Sequence, residues 1–419
     1  MSFYSSGQIE SQIIEPSSFN SSGSSGRAEF RIHGNVLSSL KLLNVGRFGN
    51  AGAKFLDLTG ALGVLRRVSI MDGRTVLTEV RNFNDWLSFN NLQKNNRHNS
   101  DMDRLLKLHR IGFQSRYFGS DTQYQRKEMI KNDRDFSFTT TDDQASSNRA
   151  YFDLREAFQM LQQVPILSDK LFKQLRLVIE FETQSNAQKF QNVDNVDTSN
   201  CRPILVVDRV MDDSQAMAML NSISTVQWEE AEHDRVQVAS TTAGVEQKVS
   251  RKLLGFNGKM LGKMRIRTNF QNTASNVNAN TVVGYGIYSS INGSREGFNI
   301  IINGRSLMPR GIQEGENRRL AHLVDTHGEV NLHASAHTCL HNDFDGLTVS
   351  GDATKVGKLD FFGTTIGEKV TELQVEYQRT GKTDGSTPSR YNDAMELFVE
   401  GYVSKQLQVG GGSYRVSYM

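Results

Sequence analysis

The chain has 419 residues, of which 37% are hydrophobic and 22% are charged, a balance that suits a folded protein with two cores of roughly 150–200 residues each. A formal net charge of +2 excludes the strong electrostatic field that would indicate binding to nucleic acid or to an anionic membrane surface. The two cysteines, Cys201 and Cys339, exclude a disulfide-rich secreted scaffold and favour folding in a reducing compartment. The alternative is one disulfide bridge between them.

The first 26 residues differ in composition from the rest of the chain. They open with MSFYSSGQIE, which lacks the basic and apolar regions of a signal peptide, so we expect a soluble, cytoplasmically made protein. Serine and glycine dominate residues 1–26, which predicts a flexible N-terminal arm. Ile13 and Ile14 would let this arm dock on a neighbouring subunit, and a disordered tail is the alternative. The arm has no Arg and Lys cluster for neutralising phosphate.

After the arm, short alternating apolar runs recur between Gly, Asn, Asp and Ser, which is typical of an all-β sandwich. Residues 28–34 and 37–43 read as strands. Residues 62–77 read as a strand that enters a turn at Asp72 and Gly73, where the glycine supplies a positive φ. The fold class predicted from these patterns is all-β, with a few short helices and long loops.

Three features of the first half return in the same order in the second half. They are a strand with an Asp-Gly or Asn-Gly turn, a half-buried strand with period-two alternation, and a last apolar strand. The paired segments are 71–77 (MDGRTVL) with 302–308 (INGRSLM), 172–182 with 370–381, and 202–210 with 394–407. This internal repeat predicts two similar sandwiches in tandem. The alternative is one sandwich with an unrelated partner, because such turns are common in hairpins.

Two segments have helical spacing. Residues 151–164 place apolar side chains along one helical face, and residues 212–223 begin with an aspartate that would cap a helix connecting the two halves. We interpret both segments as packing elements.

The densest group of metal-capable side chains comprises His327, His333, His337, Cys339 and His341. The last three histidines are four residues apart, so they would share one face of a helix and could ligate zinc. The intervening Ser and Thr residues are weak helix formers, and no Glu stands where a zinc protease has its base. We therefore expect a polar surface loop and keep His333, His337 and His341 only as weak metal candidates.

The sequence has no motif that places a nucleophile beside a base, so we expect no catalytic residue and no cofactor. Glu229, Glu230, Glu232 and Asp234 form an acidic run that predicts a solvated face rather than a cation site. Sandwiches without a catalytic constellation are usually binding or building modules.

Several segments together resemble the double jelly-roll major capsid proteins of tailless icosahedral double-stranded DNA viruses, a lineage that includes tectiviruses, adenoviruses, virophages and polinton-like viruses. The similar segments are AEFRIHGNVLSSLKLLNVG, GALGVLRRVSIMDGRTVLTEVRNFNDWL, FKQLRLVIEFE, INGRSLMP, LQVEYQRTG and MELFVEGYVSKQL. The resemblance implies two tandem eight-stranded jelly-roll sandwiches. Their expected bounds are an N-terminal arm over 1–26, jelly rolls over 27–211 and 225–408, a connecting helix over 212–224 and a C-terminal tail over 409–419.

The resemblance also implies a structural coat protein of the virion, in which three chains form a pseudo-hexagonal capsomer of an icosahedral shell. Its implied partners are its own copies in a homotrimer, neighbouring capsomers, penton and minor capsid proteins, and an internal membrane. The arm over 1–26 and the tail over 409–419 would tie capsomers together or touch that membrane. Direct sequence-specific binding to nucleic acid is not implied.

Two other functions compete with this interpretation. One is a vertex (penton) or minor capsid jelly-roll protein, which would form pentamers. The other is a β-sandwich lectin or carbohydrate-active enzyme that holds sugar on aromatic side chains. Only Trp86 and Trp228 are available as indole platforms for sugar stacking, which makes the second alternative weak.

Overall fold

The computed structural model describes residues 9–20, 26–43, 62, 65–84, 86–87, 151–182, 203–270, 287–288, 297–307, 312–313, 358–359, 361–380 and 394–419. Most of these residues lie in antiparallel strands, so the predicted all-β class is confirmed. Within the described ranges, no helix is long and apolar enough to span a bilayer.

The first half contains eleven described strands. In chain order they are β1 (Ile9–Ile14), β2 (Ser18–Asn20), β3 (Arg27–Arg31), β4 (Asn35–Leu37), β5 (Lys41–Leu43), β6 (Leu65–Asp72), β7 (Thr75–Arg81), β8 (Tyr151–Asp153), β9 (Ile166–Ser168), β10 (Leu175–Phe181) and β11 (Ile204–Val210). A 3-10 helix spans Leu154–Glu156, and two α-helices, α1 (Gln159–Gln163) and α2 (Asp213–Asn221), complete this half.

The second half contains twelve described strands. In chain order they are β12 (Thr225–Val238), β13 (Glu246–Lys252), β14 (Met260–Phe270), β15 (Ile287–Tyr288), β16 (Gly297–Ile302), β17 (Arg305–Ser306), β18 (Ile312–Gln313), β19 (Lys358–Leu359), β20 (Phe361–Lys369), β21 (Leu373–Thr380), β22 (Met395–Gly410) and β23 (Ser413–Tyr418). A second 3-10 helix spans Leu254–Phe256.

Four of the sheets form two sandwiches. In the first sandwich, sheet I begins with β1 and β11. The next strand position is shared by β4 and β5, and the last by β9, which pairs with β4, and β8, which pairs with β5. Sheet II has the order β2, β3, β10, β6, β7. In the second sandwich, sheet III has the order β12, β22, β14, β20, and sheet IV has β13, β21, β16, then β17 and β18. A separate two-stranded sheet pairs β15 with β19.

The two sandwiches have the same strand order. If the main strand positions of each half are numbered one to eight along the chain, one sheet reads 1-8-3-6 and its partner reads 2-7-4-5 in both halves. In the first half these positions are β1, β3, β4 with β5, β6, β7, β8 with β9, β10 and β11. Two four-stranded antiparallel sheets in this order make an eight-stranded jelly roll.

The repeated segments found in the sequence occupy equivalent places in the two sandwiches. The Asp-Gly turn joins β6 to β7 and the Asn-Gly turn joins β16 to β17. Both turns contain residues with positive φ: Gly73 at 57°, Asn303 at 52° and Gly304 at 78°. The two half-buried strands, β10 and β21, each pair with the strand that enters the turn.

The first residue of each turn also binds the start of the half-buried strand. The Asp72 carboxylate accepts a hydrogen bond from the Gln174 backbone N–H at 2.5 Å. The Asn303 side-chain oxygen accepts from the backbone N–H groups of Thr371 at 2.7 Å and Glu372 at 3.2 Å. An Asx side chain therefore holds the same corner of both sandwiches, which explains why the chain repeats this segment.

Two apolar cores fill the sandwiches, and both follow from the alternation of the strands. In the first sandwich, alternate side chains of β10 point inward, and in the second sandwich those of β21 do the same. These inward residues are Leu175, Leu177, Ile179 and Phe181 in β10, and Leu373, Val375 and Tyr377 in β21.

Two elements predicted in the first half of the chain are wrong. Residues 9–14 and 18–20 form strands β1 and β2 instead of a flexible arm, because backbone hydrogen bonds to β11 and β3 hold them in spite of their polar composition. Residues 151–164 are not one helix. Tyr151–Asp153 pairs with β5, Leu154–Glu156 is a 3-10 helix, and Gln159–Gln163 alone is α-helical.

The Asx corner gives a first prediction. Asp72→Ala removes the acceptor for Gln174 and should lower the free energy of unfolding by about 1–3 kcal/mol, which lowers the thermal midpoint by several degrees. Asp72→Asn keeps one side-chain oxygen, which can accept the Gln174 hydrogen bond, and should lose less stability than Asp72→Ala. Thermal unfolding followed by circular dichroism measures both variants, and equal losses would contradict this role of Asp72.

Candidate functional site

At the junction between the two sandwiches, apolar packing, a buried ion pair and side-chain hydrogen bonds join the two halves of the described chain. The junction depends on the lengths of β12 and β22, which have 14 and 16 residues and pair over almost their whole length. One half of this ladder belongs to the second sandwich. The other half continues into the first sandwich, where Val226, Trp228 and Leu407 pack in the first core.

The last strand of the chain completes this extension. A turn at Gly411 and Gly412, with φ of 59° and 74°, folds β23 back along the final residues of β22. β23 continues the line of β14, since the Met260 backbone N–H donates to the Met419 carbonyl at 2.9 Å. The segment 409–419 is therefore part of sheet III and not a free C-terminal tail, while its expected contact with other capsomers stays a prediction.

Side chains of β23 contact the first sandwich directly. The Tyr414 hydroxyl donates to the Asp72 carboxylate at 2.7 Å, and its ring lies 5.0 Å from that of Phe172. Val416 packs against the same core. Asp72 thus holds both the β6–β7 corner and the C-terminal strand, so the repeated turn of the first sandwich is also a contact of the junction.

A buried ion pair lies within this contact. Glu230 on β12 and Lys405 on β22 are 3% and 6% exposed at their side chains, and the Lys405 ammonium donates to Glu230. The other Glu230 oxygen accepts from the Thr78 hydroxyl at 2.8 Å and the Glu79 backbone N–H at 3.1 Å. Burial raises the pKa of the Glu230 carboxyl, while Lys405 acts in the opposite direction.

This pair corrects the interpretation of the acidic run as a solvated face. Glu230 is buried, and its carboxylate joins β12 of the second sandwich to β7 of the first. Glu232 binds Lys259 and accepts a hydrogen bond from the Tyr418 hydroxyl at 2.8 Å. No pattern in the sequence distinguishes these carboxylates from solvated ones, because their cations are more than twenty residues away.

A second buried cluster lies on the face of sheet III that points away from the second core. Arg265 on β14 binds Glu400 on β22 at 2.5 Å, and the other Glu400 oxygen lies 3.1 Å from His233 Nε2 on β12. All three side chains are 1% exposed. The His233 ring packs against the Phe398 ring at a tilt of 32°, with the ring centroids 4.9 Å apart. Burial acts to raise the pKa of Glu400, but Arg265 and His233 outweigh it and hold this pKa at about 2.

The predicted metal candidates His333, His337 and His341 lie outside the described residues, as do Cys201 and Cys339, so the metal site stays a prediction. Within the described ranges, no group of three or more His, Cys, Asp and Glu side chains could hold a metal ion. Trp86 and Trp228 are 4% and 3% exposed, so neither indole offers a surface on which a sugar could stack.

The chain thus folds as two tandem jelly rolls, and sheet III of the second extends over the core of the first. No family model matches the chain, and no curated protein matches it. Solved structures of viral major capsid proteins do match it over almost its whole length.

VP54 of PBCV-1, fitted into a cryo-EM reconstruction of the virophage Sputnik, is 11% identical with a TM-score of 0.57, and the match covers 99% of this chain and 98% of that chain. A cryo-EM structure of the Sputnik virophage gives 12% identity and a TM-score of 0.54, with 98% and 88% coverage. The Faustovirus major capsid protein gives 10% identity and a TM-score of 0.51, with 98% and 92% coverage. The chain has the fold of these capsid proteins.

The buried pair at the junction gives a second prediction. Lys405→Met leaves the Glu230 carboxylate buried without its cation, and we expect a loss of about 3–5 kcal/mol in the free energy of unfolding. The matched control is Lys248→Met, which breaks an ion pair with Glu246 whose side chains are 70% and 50% exposed. This control should change stability by less than about 1 kcal/mol. Chemical unfolding of both variants measures the difference, and equal effects would contradict the role of the pair.

Glu400 gives a third prediction, on acid stability. Its pKa of about 2 lies below the ordinary 4.5, so its stabilising contribution is present above pH 4.5 and is lost as the pH falls towards 2. Glu400→Gln has no such titration. Its stability should therefore be lower at neutral pH and should depend less steeply on pH between these two values. Thermal midpoints of wild type and Glu400→Gln across this pH range test the prediction. Parallel curves for the two proteins would contradict the low pKa of Glu400.

Proposed function

We propose that this chain is a major capsid protein, a structural component of an icosahedral virion, and that three copies form a pseudo-hexagonal capsomer. The observation that carries the proposal is the tandem pair of sandwiches with one strand order, joined through sheet III. A trimer of such chains presents six equivalent sandwiches, which is the number that a six-fold lattice position needs. The fold shared with the viral capsid proteins supports the same function.

The way the junction is built fits a mechanical role. A capsomer must hold its two sandwiches at a fixed relative position in each of its copies. In this chain apolar packing, a buried ion pair and a C-terminal strand all act at the same boundary. Buried polar groups that are fully paired favour one arrangement over others, because any shift leaves a charge without its partner.

The proposal includes a division of the chain and a set of partners. Residues 27–211 with the added strand β1 form the first jelly roll, 212–224 form the connection, and 225–408 with the added strand β23 form the second. The partners are further copies of the chain, neighbouring capsomers, and the penton and minor capsid proteins at vertices and seams. An internal membrane beneath the shell belongs to the same proposal, as does synthesis of the chain in the host cell.

The mass of the purified chain in solution tests this function. Light scattering after size exclusion should give three times the chain mass of 47.0 kDa, and negative-stain images should show particles of roughly hexagonal outline. A stable pentamer would replace the proposal with the vertex protein. A chain that stays monomeric at all concentrations would contradict a capsid function and return the lectin or enzyme alternative to consideration.

A further inference from the structure

Sheet I and sheet III hold the same positions in the two sandwiches, but their outer faces, which point away from their own cores, are covered differently. On sheet III this face is buried. Ala231 and Tyr402 lie on it and pack in the core of the first sandwich. The Arg235 guanidinium, on the same face, donates to the Asn82 side-chain oxygen of the first sandwich at 2.9 Å. The first sandwich thus covers the outer face of sheet III within one chain.

On sheet I the equivalent face carries apolar side chains that are exposed or half-buried. The inward residues of β5 and β11 are Leu42, Leu205 and Val207, which are fully buried, so their neighbours along each strand point outward. The outward residues are paired across the sheet, Ile13 with Val206 and Leu43 with Ile204. We define the sheet I patch by these four residues: Ile13, Leu43, Ile204 and Val206.

The exposure of the patch contrasts with that of sheet III. Ile13 is 64% exposed, and the other three side chains are half-buried. A polar rim borders them, in which the Ser11 hydroxyl donates to Asp208 at 2.9 Å and Lys41 lies 3.5 Å from the same carboxylate. An apolar centre with a polar rim is the usual composition of a protein interface.

We propose that the sheet I patch is the docking surface for the second sandwich of a neighbouring copy of this chain. Because the two sandwiches are equivalent, we expect the same face of each to be covered by another sandwich. Within the chain, the first sandwich covers sheet III, and between chains the second sandwich of one copy covers sheet I of the next. Such a contact is head-to-tail, and head-to-tail contacts with a closing rotation form rings. The inference rests on the proposed trimer and names the surface that closes it.

This docking also accounts for the exposed state of β1. Among the described strands β1 pairs with β11 alone, and four of its six side chains are exposed. Such a strand gains little stability from packing against the core of its own chain. Covering Ile13 with a neighbouring copy would remove apolar surface from water and hold β1 in place, so its amide hydrogens should exchange more slowly in the trimer than in a dissociated chain.

Two variants with a matched control test the proposal. Ile13→Glu and Val206→Glu each put a charge in the centre of the patch, while Leu254→Glu puts the same charge on a side chain of the second sandwich that is 72% exposed. Light scattering over a dilution series gives the concentration at which half of each protein is dissociated. We expect this concentration to rise about tenfold or more for both patch variants and to stay unchanged for Leu254→Glu. Circular dichroism of the dissociated Ile13→Glu chain should match that of dissociated wild type, because Ile13 is outside the core.

The outcomes separate this inference from the proposed function. A wild-type chain that forms no trimer would overturn the proposed function itself. A wild-type trimer with patch variants that assemble equally well would overturn the docking surface alone. Equal dissociation by Leu254→Glu would also overturn it, because the effect of the charge would then not depend on the patch.

Discussion

The burial of sheet III on both faces is the constraint on which the rest of the structure depends. One face of this sheet carries part of the second core, and residues on its other face and its extension pack in the first core. Strands buried on both faces usually read as continuous apolar runs. Here β22 also carries Glu400 and Lys405, and each of these charges has a buried partner on a neighbouring strand. Burial of this sheet therefore depends on specific ion pairs as well as on apolar surface.

This constraint links distant parts of the chain. Tyr414, close to the C-terminus, binds Asp72 in the turn of the first sandwich, and the same aspartate binds the start of β10. Glu230 joins Lys405 to β7. The long strands bring these groups together and so hold the two sandwiches in a constant relation.

Sequence patterns predict the features that depend on local chemistry. Alternation identified β10 and β21, and the Asp-Gly and Asn-Gly turns identified equivalent corners of the two sandwiches, because both signals arise within a few residues. Strand β1 has no such signal, because an edge strand held by backbone hydrogen bonds needs little apolar alternation. The C-terminal strand also lacks a local signal, because Tyr414 packs against residues more than two hundred positions earlier, Asp72 and Phe172.

The candidate site was predicted less well than the fold. The acidic run is visible in the sequence, but the burial of Glu230 depends on Thr78, Glu79 and Lys405, which are far from it in the sequence. The cluster of Arg265, His233 and Glu400 has no sequence signature for the same reason. Pairing of charges across a sheet is set by strand register, and a single sequence does not reveal which strands become neighbours.

Hydrogen–deuterium exchange with mass spectrometry tests most directly whether sheet III joins the two sandwiches. Peptides covering residues 403–418 contain the extension of β22 and the strand β23. If sheet III joins the two sandwiches, the amides of residues 403–408 should exchange as slowly as those of β10 in the centre of sheet II, because both segments have paired strands on each side and lie over the first core. Complete exchange of 403–408 at the earliest time point, with β10 still protected, would contradict the shared sheet.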